Sequence, residues 1–373
     1  MSKSKVCAAN ERVKHAYLKH MRDARGRSER TVDQIAAAID GFEQFTNHRD
    51  FKHFKADNAR DWKAELLEEP SEVTGTPLAL SAARTRLRAV RDFFLWLSRE
   101  PGYRKLDARD ADYFNLSARD ERIARTAQER PAPTREEVTR ALAEMPHGTL
   151  VEKRNRTLIA FTLLTGARIS ALRTLKLKHL DIAKGAVDQD PREVETKGAK
   201  HIYTPFFPLS SEALEIVTDW IATLRDQLGW TDNDPLFPKQ KVELGSGARF
   251  QNAGLDRAHY ATGEPVRQVF HDAFVDAGLH PYHPHTFRHM IATHYAKLGV
   301  DAGTAKAISQ SLGHEHLGTM MQTYVRLSRS DQADLVRNAG RLASDDEITI
   351  ARALDVIQQH LPGRGLRPAR KSP

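Results

Sequence analysis

The sequence predicts a mainly α-helical fold with one small antiparallel β-sheet, divided between two domains. Three observations predict it. Apolar residues recur at three- and four-residue steps through most of the 373 residues, the period of helices with one buried face. That period fails at 180–209, where Val187, Val194, Ile202, Tyr203, Phe206 and Phe207 lie among Gly, Asp and Pro, as short strands and their turns do. A polar run at 115–135, NLSARDERIARTAQERPAPTR, has few apolar residues and ends in Pro-Ala-Pro, the composition of a linker. A chain of this length accommodates about two domains, with the boundary near residue 130.

Taken in order, residues 11–45 carry Ala16, Leu18, Met21, Ile35, Ile39, Phe42 and Phe45 at helical spacing, interrupted at Gly26 to Ser28, so two helices are expected. Residues 57–69 form a third, with Trp62, Leu66 and Leu67 on one side. After a loop, Ser81 is expected to cap a helix over 82–99. Leu87, Val90, Phe94 and Leu97 make the apolar stripe of that helix, and Arg84, Arg88 and Arg91 line another face. That basic face is either a solvated surface or one that meets phosphates. Thr134 and Glu137 have capping-box spacing. Helices follow over 151–165 and 169–177 around a TGAR turn. After the strand region they return over 210–228, 264–277, 285–298, 303–311 and 317–327, and a last amphipathic helix covers 346–360.

Composition excludes several classes. No run of about 18 apolar residues exists, so no transmembrane helix and no membrane partner is expected. The basic N-terminus lacks the apolar run of a secretory signal. The one cysteine, Cys7, forbids an internal disulfide and any multi-cysteine metal site, and a reducing, cytoplasmic setting fits. The formal charge is +8, from 57 Lys+Arg against 49 Asp+Glu. Arg364, Arg367, Arg370 and Lys371 in the last 13 residues supply half of it. A weakly basic body with a basic tail permits a polyanion partner without requiring one.

No cofactor is expected. His283, His285, His289 and His294 cluster, but without HExxH spacing. No GxxxxGK[ST] and no strand-associated GxGxxG appears. Metal-free phosphodiester chemistry needs a nucleophile, positive charge around the phosphorus and an acid for the leaving alkoxide. Arginine suits the charge, because its planar fork binds two phosphate oxygens and stays protonated. Tyrosine can attack and keep the phosphate as an ester. Such groups occur in a suggestive order: Arg168 in LLTGARISAL, Lys197 and Lys200 in TKGAK, His285 and Arg288 in HPHTFRHMIATH, His314 in SLGHEHLG, and Tyr324 in TMMQTYVRL.

At these residues the chain resembles the tyrosine recombinase (phage integrase) family, of the Xer and integrase type. TGARIS, TKGAK, HTFRH and LGH…TY match its signature elements in order, and the LSAARTRLRAVRDFFLWL helix resembles part of its core-binding domain. The resemblance covers roughly residues 10–330. It implies a helical, SAM-like core-binding domain at 10–115, a linker at 116–132, a mixed α/β catalytic domain at 133–345, and a C-terminal helix and basic tail at 346–373. It implies a site-specific DNA recombinase that needs neither metal nor ATP, binds a double-stranded recombination site and acts as a homotetramer in a synaptic complex.

By position, the resemblance makes Tyr324 the nucleophile that forms a 3′-phosphotyrosyl link. Arg168 and Arg288 would grip the non-bridging oxygens. His285 would assist proton transfer at the tyrosine, Lys197 would be the general acid, and His314 would orient the phosphate. Lys200 is a second candidate for the acid and, with Arg84, Arg88 and Arg91, for DNA contact. Ala171 stands where the family often has an acid, three residues after Arg168, and His314 and Tyr324 are ten apart where nine is also frequent. The 346–360 helix either docks on a neighbouring protomer or packs on its own domain. Two other readings stay open: a type IB topoisomerase-like nicking-closing enzyme, and a DNA-binding protein that no longer cuts.

Overall fold

A computed structural model describes residues 6–68, 75, 77–125, 131–244, 250–298 and 300–314. The chain divides into two units, Met1–Gln128 and Glu129–Pro373. The elements described are helices with short antiparallel strands, the class the sequence predicts. The helices expected over 317–327 and 346–360, and Tyr324 with them, lie outside the described residues. Among the described residues no helix is long and apolar enough to cross a membrane.

The first unit contains α1 (Ala8–Asp23), α2 (Glu29–Phe45), α3 (Ala56–Glu68), α4 (Leu80–Leu97) and α5 (Ala118–Arg125). The break between α1 and α2 falls at Gly26, whose φ of +58° suits a residue without Cβ. Ser28 then caps α2 by accepting from the Thr31 amide. The α4 stripe is fully buried: Leu87, Val90, Phe94 and Leu97 are at most 1% exposed. Around it the core is aromatic. Phe54 stacks on Phe94 at 3.8 Å, and Phe42 meets Phe94, Trp62 and Phe114 edge-on at 5.3 to 5.5 Å, the geometry favoured by ring quadrupoles.

Two expectations differ here. Ser81 does not cap α4 but lies in its first turn; the Ala82 and Ala83 amides bond to the Ala79 carbonyl, and Ala79 is the N-cap. The polar run after residue 115 contains α5. Polar contacts sustain this short helix where apolar periodicity is lacking: the Asp120 amide donates to Ser117 Oγ, and Glu121 accepts from Arg84 of α4 and from Arg125 one turn on.

The second unit contains α6 (Arg135–Glu144), α7 (Leu150–Thr165), α8 (Ile169–Thr174), β1 (Leu180–Asp181), β2 (Ala186–Gln189), β3 (Ile202–Pro205), α9 (Ser211–Ala222), β4 (Gln240–Leu244), β5 (Phe250–Leu255), α10 (Glu264–Asp276), α11 (Pro284–Lys297) and α12 (Ala302–Ser311). The Thr134–Glu137 capping box opens α6, with both reciprocal bonds made. α7 is central: Leu158, Ile159, Ala160, Phe161, Leu163 and Leu164 are buried on every side, as an all-round apolar helix must be. β1, β2 and β3 form an antiparallel sheet in that order. β3 ties to the end of α12, where Thr204 Oγ1 donates to the Ser311 carbonyl at 2.7 Å. The β4–β5 hairpin was not expected. Lys241, Val242 and Glu243 include only one apolar residue, and Val242 is half exposed, so no buried face shows in the pattern.

Phe94→Ala removes a ring from the middle of the aromatic core. The first unit should lose about 3–5 kcal/mol, read as a lowered denaturation midpoint by tryptophan fluorescence.

Candidate active site

α7 ends at Gly166, which caps it in the left-handed conformation at φ +58°. Ala167 follows, buried, and Arg168 becomes the N-cap of α8. The chain therefore turns sharply and presents Arg168, partly buried, at the junction of two helices.

Arg288 lies inward on α11 and is 2% exposed. Its guanidinium reaches two segments, the end of α7 and the turn after α12. Nη1 donates to the Gly166 carbonyl at 2.6 Å, Nη2 donates to the Leu312 carbonyl, and Nη2 also meets His314 Nε2 at 3.3 Å. A guanidinium can only donate, so Nε2 of His314 accepts and the neutral ring carries its proton on Nδ1.

Two glycines make this approach possible. A Cβ on Gly166 would sit 2.7 Å from Leu312 Cδ2. A Cβ on Gly313 would sit 2.5 Å from Ile202 Cδ1 and 3.2 Å from Arg168 Nη1, at a residue whose φ is already +66°. Arg168 thus lies against the backbone immediately before His314. Sequence places Gly166 in the TGAR turn and Gly313 in the LGH run but does not show what presses on either.

The electrostatics follow. The His314 imidazolium is disfavoured, with its pKa pushed down to about 4. Burial is the largest cause, followed by the positive fields of Arg288, Arg168, His285 and Lys200. His285, exposed in the first turn of α11, sits edge-to-face with His289 at 5.3 Å.

The two lysines lie on the loop between β2 and β3. Thr196 Oγ1 donates to the Lys200 carbonyl at 2.7 Å, and Gly198 and Ala199 take φ of +75° and +51°. Lys197 is exposed at the tip and Lys200 is partly buried. The structure therefore brings Arg168, Arg288 and His314 into contact range, with His285 and Lys200 in the same field. Lys197 stands at the tip of its loop, and Tyr324 lies outside the described residues.

Arg84, Arg88 and Arg91 belong to the other unit. Arg84 Nε bonds both oxygens of Glu121 at 2.8 and 2.9 Å, and Arg91 Nη2 bonds Asp112 at 2.9 Å. Arg88 reaches Asp92 only at 4.0 Å and leaves 69% of its side chain exposed. Back in the second unit, the Arg168 and Arg288 guanidiniums beside a neutral His314 are a set of cationic and polar groups suited to a dianionic or transition-state phosphate.

Comparisons with known proteins agree in family. The model of the phage integrase family matches residues 133–331, and that of the phage integrase N-terminal SAM-like domain matches 15–101. Tyrosine recombinase XerC of Lactobacillus delbrueckii subsp. bulgaricus is 27% identical over 318 residues, covering 85% of this chain and 94% of its own. Tyrosine recombinase XerD of Vibrio vulnificus is 25% identical over 301 residues, covering 77% and 81%. Among solved structures, a lambda integrase dimer bound to a COC′ core site aligns with a TM-score of 0.58 at 15% identity, covering 86% of this chain and 96% of that one. XerH recombinase bound to its difH substrate aligns at 0.54 and 16% identity, covering 88% and 84%.

Two outcomes are expected. Because the unfolded His314 ring protonates near pH 6.5 and the folded one only near 4, folding stability is lost as pH falls from about 6.5 toward 4. In histidine-selective NMR the His314 signal, assigned by its loss in His314→Gln, should stay at its neutral position from pH 8 to 5. Gly313→Ala should cost about 1–3 kcal/mol through its left-handed backbone and the clash with Ile202, measured by thermal denaturation.

Proposed function

The chain belongs to the phage integrase family, and from that premise we propose that it is a tyrosine site-specific recombinase. It cleaves and rejoins double-stranded DNA through a 3′-phosphotyrosyl intermediate. The observation that supports this most is the packing of Arg288, His314 and Arg168 around the Gly166 and Gly313 turns. That cluster supplies fixed donors where charge develops on a phosphorane.

The roles are those the family resemblance implies, and the chemistry of each group suits its role. Tyr324 Oη attacks the scissile phosphorus and passes its proton toward His285. Arg168 and Arg288 hold the non-bridging oxygens. His314, neutral before binding, donates through one ring nitrogen or gains a proton as phosphate charge raises its pKa. The bond from phosphorus to the 5′ oxygen breaks, and Lys197 supplies the proton to that oxygen; Lys200 stands in the field of His314 and is the alternative donor. The phosphotyrosyl ester conserves the phosphodiester bond energy, so religation by a 5′ hydroxyl needs neither ATP nor a metal ion.

Residues 10–115 are the core-binding domain and 133–345 the catalytic domain, and each contributes contacts to the DNA. Arg88 contacts phosphate directly, whereas Arg84 and Arg91 must exchange Glu121 and Asp112 for phosphate. Four protomers assemble on two sites for sequential strand exchange, in the cytoplasm where the DNA lies.

The test uses covalent capture. Nicked suicide duplexes with a randomised core are incubated with the full chain, and denaturant-stable adducts are isolated and sequenced to give the recombination site. Wild type should form the adduct, equally well in EDTA, and Tyr324→Phe should form none above background. Absence of a wild-type adduct, or an adduct with Tyr324→Phe, refutes the mechanism. Relaxation of supercoiled DNA without dependence on any captured site would replace it with a topoisomerase.

A further inference from the structure

α8 is a helix of six residues, Ile169–Thr174, with Arg168 as its N-cap. At 1.5 Å per residue it is about 9 Å long. Its far end holds the lysine-bearing loop. Arg173 Nη2 pairs with Glu195, and the Glu195 amide donates to Thr174 Oγ1 at 2.9 Å. Arg173 Nη1 donates to the carbonyls of Tyr260 and Ala261 at 3.2 and 2.5 Å, which braces the guanidinium from behind.

The preceding residues of the loop are pinned as well. Val194 is 1% exposed in the core, and Glu193 pairs with Lys176 and Lys178 at 2.9 and 2.7 Å. Glu195 is two residues before Lys197. Beyond it, the tip is closed on itself by the Thr196–Lys200 bond and the two positive-φ residues. A preformed turn carrying Lys197 is therefore mounted on the end of the helix whose beginning presents Arg168.

We propose that Arg173, Thr174 and Glu195 are positioning residues that fix Lys197 relative to the phosphate held by Arg168. This rests on the reading of Lys197 as general acid. Partly exposed ion pairs add little to global stability, so the bridge acts through placement. A displacement near 1 Å costs a proton transfer on the order of 100-fold in rate.

In the step concerned, a lone pair of Tyr324 Oη forms the new bond to phosphorus. The bonding pair to the 5′ oxygen leaves with that oxygen, which takes a proton from the Lys197 ammonium. If sulfur replaces that bridging oxygen, it leaves as a thiolate and needs no proton. Single-turnover cleavage is therefore measured on two captured-site duplexes, one with the natural 5′-bridging oxygen and one with sulfur there.

Glu195→Gln and Arg173→Met should slow cleavage of the oxygen duplex by about 10- to 100-fold and cleave the sulfur duplex at the wild-type rate. Arg173→Lys, which retains a cation for Glu195, should be slowed less. Lys197→Ala should show the same rescue, and its failure to do so, or rescue of Lys200→Ala in its place, removes the premise. With Lys197→Ala rescued, Glu195→Gln and Arg173→Met at wild-type rate on oxygen, or equally slow on both duplexes, overturn the positioning role.

Discussion

The guanidinium of Arg288 is the contact on which the second unit's site depends. It is almost wholly buried and joins the end of α7 through the Gly166 carbonyl, the end of α12 through the Leu312 carbonyl, and His314 beside it. Those segments are far apart in sequence, and one planar fork sets their spacing. A buried charge left without its partners costs about 3–5 kcal/mol, so the segments and the arginine hold one another in place. Lysine could not substitute, because a single ammonium cannot span both carbonyls and the imidazole. The glycines at 166 and 313 follow from the same constraint, since a methyl at either would meet Leu312 or Ile202 well inside contact distance.

Burial first, and then the positive fields of Arg288, Arg168, His285 and Lys200, disfavour the imidazolium of His314 in the free protein. Such an arrangement is stabilised when an anion enters it. The net charge of +8 says little about this, since half of it lies in the last 13 residues. A few placed guanidiniums define the partner better than the sum does.

Much of this was legible in the sequence, for local reasons. The α4 stripe Leu87, Val90, Phe94 and Leu97 reads directly as a buried face, and the capping pair Thr134 and Glu137 makes the bonds its spacing implies. Arg168, Lys197, His285, Arg288, His314 and Tyr324 each lie in a short motif of the resemblance, and the structure gathers Arg168, Arg288 and His314 of that set. What depends on distant partners was not legible. Spacing put Arg84, Arg88 and Arg91 on one face but could not reveal that Glu121 and Asp112 hold two of them. The α5 helix rests on ion pairs with little apolar period, and in β4 the half-exposed Val242 stands between Lys241 and Glu243, so no run of apolar residues marks that strand. Nor could sequence show that Gly313 is pressed by Arg168, or that Arg173 braces the loop of Lys197.

The most direct test of the central claim is a crystal structure of the chain on its captured duplex with orthovanadate at the scissile position. The account predicts a trigonal-bipyramidal vanadium joined to Tyr324 Oη and to the 5′ oxygen. Its equatorial oxygens should lie within hydrogen-bond distance of Arg168, Arg288 and His314, with Lys197 at the 5′ oxygen. A vanadium centre bound away from Arg288, or joined to a side chain other than Tyr324, would contradict it.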